Sequence, residues 1–162
     1  MNKKVVFLGN SLYLEDKIGL VVGELLREEL VSRGYDVEVS ERIGISLLDL
    51  FSEESDEIIV VDSVYVDKED LYGEVFAIDI KKLSSSSIAY PHDLSIRDII
   101  DLLNTQGVFG RKKIFVIGIG IRDLYTLSSD LSEYLRNRID YIKNKVIALI
   151  DSFSEDPDSL NK

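Results

Sequence analysis

The sequence predicts an α/β fold, a three-layer α/β/α sandwich around a mostly parallel, twisted sheet of about five strands. Three observations point to it. Strand-like and helix-like segments alternate along the chain. The strand-like runs are continuously apolar, as strands buried on both faces are. The 162 residues suit a single domain, with no internal repeat or linker to divide them. The expected domain spans residues 1–153, followed by a polar tail over 154–162.

Lys4–Leu8 reads as a buried strand, β-branched and aromatic, bounded by Gly9. Ile18–Ser32 reads as a helix. Ile18, Val22, Leu25, Leu26 and Leu30 fall on one face and Glu24, Arg27 and Glu28 on the other. Gly34 stops it. Asp36–Ser40 alternates as a short strand, and Ser46–Phe51 reads as a brief helix. Ile58–Val61 is a second continuous apolar strand, ending in Asp62. Tyr72–Ile80 alternates as an edge strand, because no helix precedes it. Lys81–Ser87, with four consecutive serines, reads as an exposed loop. Ser95–Leu103 is a helix, with Ser95 and Asp98 at capping-box spacing. Lys113–Ile119 is the third buried strand. One last helix runs from Ser129 to about Phe153, with Leu131, Leu135, Ile142, Val146 and Leu149 as its core stripe.

Composition narrows the chemistry. Hydrophobic residues make up 45% and charged residues 30%, as in soluble globular proteins. The net charge of −11, from 30 acids against 19 bases, repels nucleic acid, and no partner of that kind is expected. The absence of cysteine removes disulfides, zinc–thiolate sites and thiol nucleophiles. No apolar run approaches a membrane span, and the apolar stretch Val5–Leu8 is too short for a secretory signal. The cytoplasm is the expected location.

Open α/β sheets gather their sites at the carboxyl ends of the strands. Three polar segments arrive there. Gly9-Asn10 follows the first strand, with Glu15-Asp16 at the mouth of its helix. Asp62-Ser63 ends the Ile58 strand. Tyr90-Pro91-His92-Asp93 precedes the Ser95 helix and holds the one histidine. Asp16, Asp62 and His92 together offer two oxygens and a nitrogen, which suit a borderline divalent ion such as nickel or zinc. Each also has a plain structural reading. Asp16 can serve the helix dipole or cap the helix, Asp62 can cap a turn, and His92 can be a loop residue. Gly9 and Asn10 both tolerate a left-handed turn. A Ser-His-Asp triad would have to use His92, and no G-x-S-x-G elbow accompanies it. Gly118-x-Gly120 lacks the third glycine of a dinucleotide loop, and Glu15-Asp16 would repel a phosphate at the first helix.

The run Gly9-Asn10-Ser11-Leu12-Tyr13-Leu14-Glu15-Asp16-Lys17-Ile18-Gly19, the later strand ending in Asp62, and Pro91-His92 before a helix resemble the hydrogenase maturation endopeptidases. These proteins remove a C-terminal extension from the large subunit of nickel–iron hydrogenases. The resemblance covers roughly residues 3–150 in element order. It implies that Asp16, Asp62 and His92 are the catalytic and metal-facing residues. Gly9, Asn10, Glu15, Gly44 and Asp93 support them. The ion implied is nickel, carried in the substrate's own active site. The implied partner is the large-subunit precursor and the implied state a monomer. The family's second-strand motif would fall where Val39-Ser40-Glu41-Arg42-Ile43-Gly44 stands, and only Gly44 fits it. The alternative is a divergent, non-cleaving paralogue that binds a metalloenzyme subunit or a metal.

Overall fold

The computed structural model describes residues 2–41, 55–79 and 113–155. Five strands form one sheet: β1 (Lys3–Leu8), β2 (Asp36–Ser40), β3 (Glu57–Tyr65), β4 (Val75–Ile78) and β5 (Lys113–Ile121). The helices are α1 (Ile18–Ser32), the short α2 (Glu133–Asn137) and α3 (Ile139–Glu155). The strand order is β2-β1-β3-β5-β4. β1 pairs in parallel with β2 and β3, β3 pairs in parallel with β5, and β4 lies antiparallel on β5. The α/β class with a mostly parallel five-stranded sheet is therefore as expected. So is the edge position of the Val75 strand.

Strand alternation divides the sheet's side chains between two faces. Val5, Phe7, Ile59, Val61, Ile117, Ile119 and Ile121 share one core with Ile18, Val22, Leu26 and Leu30 of α1. Leu135, Ile142, Val146, Ile150 and Phe153 of α2 and α3 complete it. Each such side chain contributes roughly 1.5–3 kcal/mol on full burial. Val6, Leu8, Ile58, Val60 and Val64 on the opposite face are equally buried. That is why these strands read as unbroken apolar runs.

α1 begins and ends where its periodicity places it. Gly34, the residue after its C-cap Arg33, has φ +94°, the left-handed conformation that glycine adopts without strain. Leu25, expected in the core stripe, is 53% exposed, while Gly23 faces inward. β3 does not end at Asp62. Its ladder with β5 continues through Asp62↔Gly118 to Tyr65↔Ile121. A polar residue closes an apolar run in the sequence, but backbone pairing does not depend on side-chain polarity. For the same reason β5 continues past Ile119, and Gly118 and Gly120 lie within the strand, not in a phosphate-binding loop.

The final helix divides in two. Ser132 caps α2, its hydroxyl accepting from the Leu135 N–H at 3.4 Å, so residues 129–132 precede the helix. Arg138 separates α2 from α3. Its guanidinium donates to the Gly73 carbonyl at 3.1 Å and pairs with Glu74 at 2.9 Å, holding the break against the β4 edge. α3 runs through Glu155, and Tyr35 and Ser154 share a hydrogen bond of 3.1 Å between their hydroxyls. Residues 156–162 of the expected tail lie outside the described residues, as do the expected helices at Ser46–Phe51 and Ser95–Leu103 and the serine loop.

Candidate active site

In the order β2-β1-β3, the chain moves outward from β1 to β2 and then returns to the other side of β1. The crevice between the carboxyl ends of β1 and β3 is therefore a topological switch point, where open α/β sheets bind ligands. Asp16 follows β1 and Asp62 lies on β3, one residue beyond the last β1–β3 pair, Phe7↔Val61. The two acids meet at that crevice, 2% exposed each.

Close packing of the first loop fixes Asp16. A Cβ at Gly9 would lie 2.7 Å from the Asp16 carbonyl oxygen, and one at Gly19 would lie 1.9 Å from the Leu8 carbonyl oxygen. These two glycines let α1 start directly against the end of β1. Neither Gly9 nor Asn10 has positive φ, so the left-handed turn that both tolerate does not form there. Asn10 acts through hydrogen bonds. Its amide N–H donates to the Asp16 carbonyl at 3.3 Å, and its side-chain oxygen accepts from the Leu12 N–H at 2.9 Å.

The Asp16 carboxylate is not a helix cap. Lys17 is the cap residue of α1, with no side-chain cap bond, and no acid lies in the first turn. Instead Asp16 accepts a hydrogen bond from the Ser63 hydroxyl, which is fully buried. Burial pushes the Asp62 carboxyl well above the usual carboxylate range, and the charge of Asp16 raises it further. The Ser63 N–H, donating to Asp62 Oδ1 at 2.8 Å, only partly opposes this. Two buried oxygens that crowd negative charge in this way are relieved by a proton or a cation. Hard carboxylate oxygens fit a divalent ion.

Glu15 faces the other way and serves the fold. Its Oε1 accepts from the N–H groups of Arg122 at 2.9 Å and Asp123 at 2.8 Å. Its Oε2 accepts from the Ser132 hydroxyl at 2.7 Å and from the Tyr72 hydroxyl. Partial burial and the bond to Glu15 push the Tyr72 phenol up to about 12, so it remains a donor at neutral pH. The neighbouring acids thus divide their work: Glu15 ties the first loop to the end of β5, and Asp16 faces β3.

Of the expected site residues, Asp16 and Asp62 come together, while Gly9, Asn10 and Glu15 hold their loop. His92, Asp93 and Gly44 lie outside the described residues. Among the described residues no three His, Cys, Asp or Glu side chains gather as a metal-binding group. Ser63, Tyr72 and Ser132 were not expected at the site. Only Ser63 had a signal, its place beside Asp62. No helix among the described residues is long and apolar enough to cross a membrane.

The family model described as hydrogenase maturation protease matches residues 42–149, a span that includes Asp62 and His92. Among solved structures, the [NiFe] hydrogenase maturation protease HybD from Thermococcus kodakarensis is 24% identical. The match covers 92% of this chain and 99% of that one, with a TM-score of 0.67. The hydrogenase maturating endopeptidase HybD from E. coli is 19% identical over 94% of this chain and 93% of that one, with a TM-score of 0.61. The maturation protease HycI from Thermococcus kodakarensis is 20% identical over 93% and 92%, with a TM-score of 0.67. Curated protein sequences give no match.

Proposed function

This chain belongs to the hydrogenase maturation protease family, and we propose from that membership that it is an endopeptidase acting on a nickel–iron hydrogenase large-subunit precursor. It removes the C-terminal extension once nickel has been inserted. Asp16, Asp62 and His92 recognise the nickel already seated in the substrate, and the protein works in the cytoplasm as a monomer. The observation that supports this reading most is the meeting of Asp16 and Asp62, buried at the switch-point crevice.

Each residue has a part. Asp16, steadied by the Ser63 hydroxyl, presents a carboxylate of fixed orientation. Asp62, whose carboxyl is pushed up by burial and by the charge of Asp16, would offer its oxygens to the ion beside it. His92 supplies the nitrogen donor. Bound nickel supplies Lewis acidity for a carbonyl or a water.

The test is co-expression with the large-subunit precursor of the same organism in nickel-supplemented cells, followed by intact-mass measurement. The unaltered chain shortens the large subunit by one C-terminal peptide. Asp16→Asn and His92→Ala leave it at full length. A precursor that stays uncut in every sample, yet binds the unaltered chain, favours the non-cleaving paralogue. The Val39–Gly44 segment is the sequence feature in that reading's favour.

A further inference from the structure

One residue touches both acids of the crevice. The Ser63 hydroxyl donates to Asp16 Oδ1, and the Ser63 N–H donates to Asp62 Oδ1 at 2.8 Å. Ser63 is itself fully buried. Its backbone is fixed from the far side, where it pairs with Ile119 in the β3–β5 ladder. The β1–β3 ladder has already ended at Phe7↔Val61. At Ser63 it is the loop after β1, through Asp16, that meets β3.

Strand alternation separates the two contacts. Consecutive residues of a strand send their side chains to opposite faces of the sheet. Ser63 is in step with Ile59 and Val61, which share a core with α1, and Asp16 stands just before α1 begins at Ile18. Asp62 is in step with Ile58 and Val60 of the opposite face. The hydroxyl therefore takes the acid on the α1 side, and the N–H takes the acid that leaves β3 by the other face. The fold does not ask for a hydroxyl here. Ile59 and Val61 make an apolar row, and an apolar residue would continue it. A buried hydroxyl is unfavourable unless it is paired. Its partner is Asp16, a residue of the candidate site. Being buried, the hydroxyl acts through the acids and not on a peptide bond.

Resting on the processing reading above, we propose that Ser63 is the positioning residue that sets Asp16 and Asp62 relative to each other, and that this setting determines how well the chain tells a nickel-loaded precursor from a nickel-free one. Groups that hydrogen-bond to metal ligands fix their orientation, and losing one weakens metal binding about 10–100-fold. Here a single residue holds one oxygen of each acid. Without the hydroxyl, Asp62 keeps its bond to the Ser63 N–H, while Asp16 loses its bond to β3. The relation between the two acids is then no longer fixed. The rest of the protein surface that meets the precursor is unaltered, because Ser63 has no part in it. The loss therefore falls on the nickel-dependent part of binding.

The experiment measures Kd for purified precursor by interferometry, once nickel-loaded and once nickel-free, and compares the two. The proteins are the unaltered chain, Ser63→Ala and Ser63→Thr, each checked for an unchanged circular-dichroism spectrum. The unaltered chain is expected to prefer the loaded precursor. Ser63→Ala is expected to weaken the loaded complex about tenfold and to leave the nickel-free complex as it was. Ser63→Thr, which keeps the hydroxyl, restores the preference. A preference that survives Ser63→Ala overturns the proposal. So does equal weakening of both complexes, the mark of a residue that only supports the fold. If Ser63→Ala does not fold, Ser63→Thr carries the comparison: a kept preference supports the proposal, and a preference lost with the hydroxyl still present overturns it. An unaltered chain that binds both precursors alike rejects the nickel-sensing reading itself, and this role with it. That failure shows in the unaltered chain, whereas failure of the Ser63 role alone shows only in the variants.

Discussion

Burial of the Asp62 carboxyl beside Asp16 makes its ionisation work against the folded chain. The folded-state pKa lies above the unfolded value of about 3.9. Asp62 therefore contributes stability that is fully present below that pH and is lost as pH rises through the folded pKa. Asp62→Asn keeps the volume and removes the charge. In chelator-treated protein at neutral pH, urea denaturation is expected to show the variant as the more stable of the two. The two proteins converge as pH falls towards 4. A variant less stable at neutral pH than at acid pH, relative to the unaltered chain, contradicts this account. Sequence patterning shows at this scale that Glu15 and Asp16 exceed what a turn needs. It does not show which acid serves the fold. Glu15's partners Tyr72, Arg122, Asp123 and Ser132 are far along the chain, and nothing local marks them.

Among the elements, the join between β1 and α1 sets the site. A methyl group at Gly19 would sit 1.9 Å from the Leu8 carbonyl oxygen, so α1 would have to move. Gly19→Ala is expected to cost about 3 kcal/mol or more, with loss of trimming. Gly34 has open space around it and pays only for its positive φ. Gly34→Ala is expected to cost about 1–2 kcal/mol and to leave trimming intact. Equal losses for the two in chemical denaturation would contradict the tight-join account. The elements legible in the sequence were the apolar runs that became β1, β3 and β5, and the periodic segments that became α1, β2 and the edge strand. β3 ran past Asp62 because its partner β5 continued the ladder, and the last helix broke because Ser132 and Arg138 were engaged by Glu15 and Glu74. Both outcomes depend on contacts that a local pattern does not contain.

Across the whole molecule, the strand order does what composition alone could not. It brings the segment after β1 and the middle of β3 to one crevice, with a buried carboxylate from each. The fold class and the two acids were legible, because buried parallel strands and the polar residues that close their apolar runs leave plain marks. The chain's net charge of −11 spoke only against a nucleic-acid partner and named none. The central claim is that cleavage waits for nickel. The most direct measurement is the intact mass of purified precursor, loaded with nickel or free of it, after incubation with this chain. The account predicts release of one C-terminal peptide from the nickel-loaded precursor and none from the nickel-free form. Equal trimming of both forms, or of neither, would contradict it.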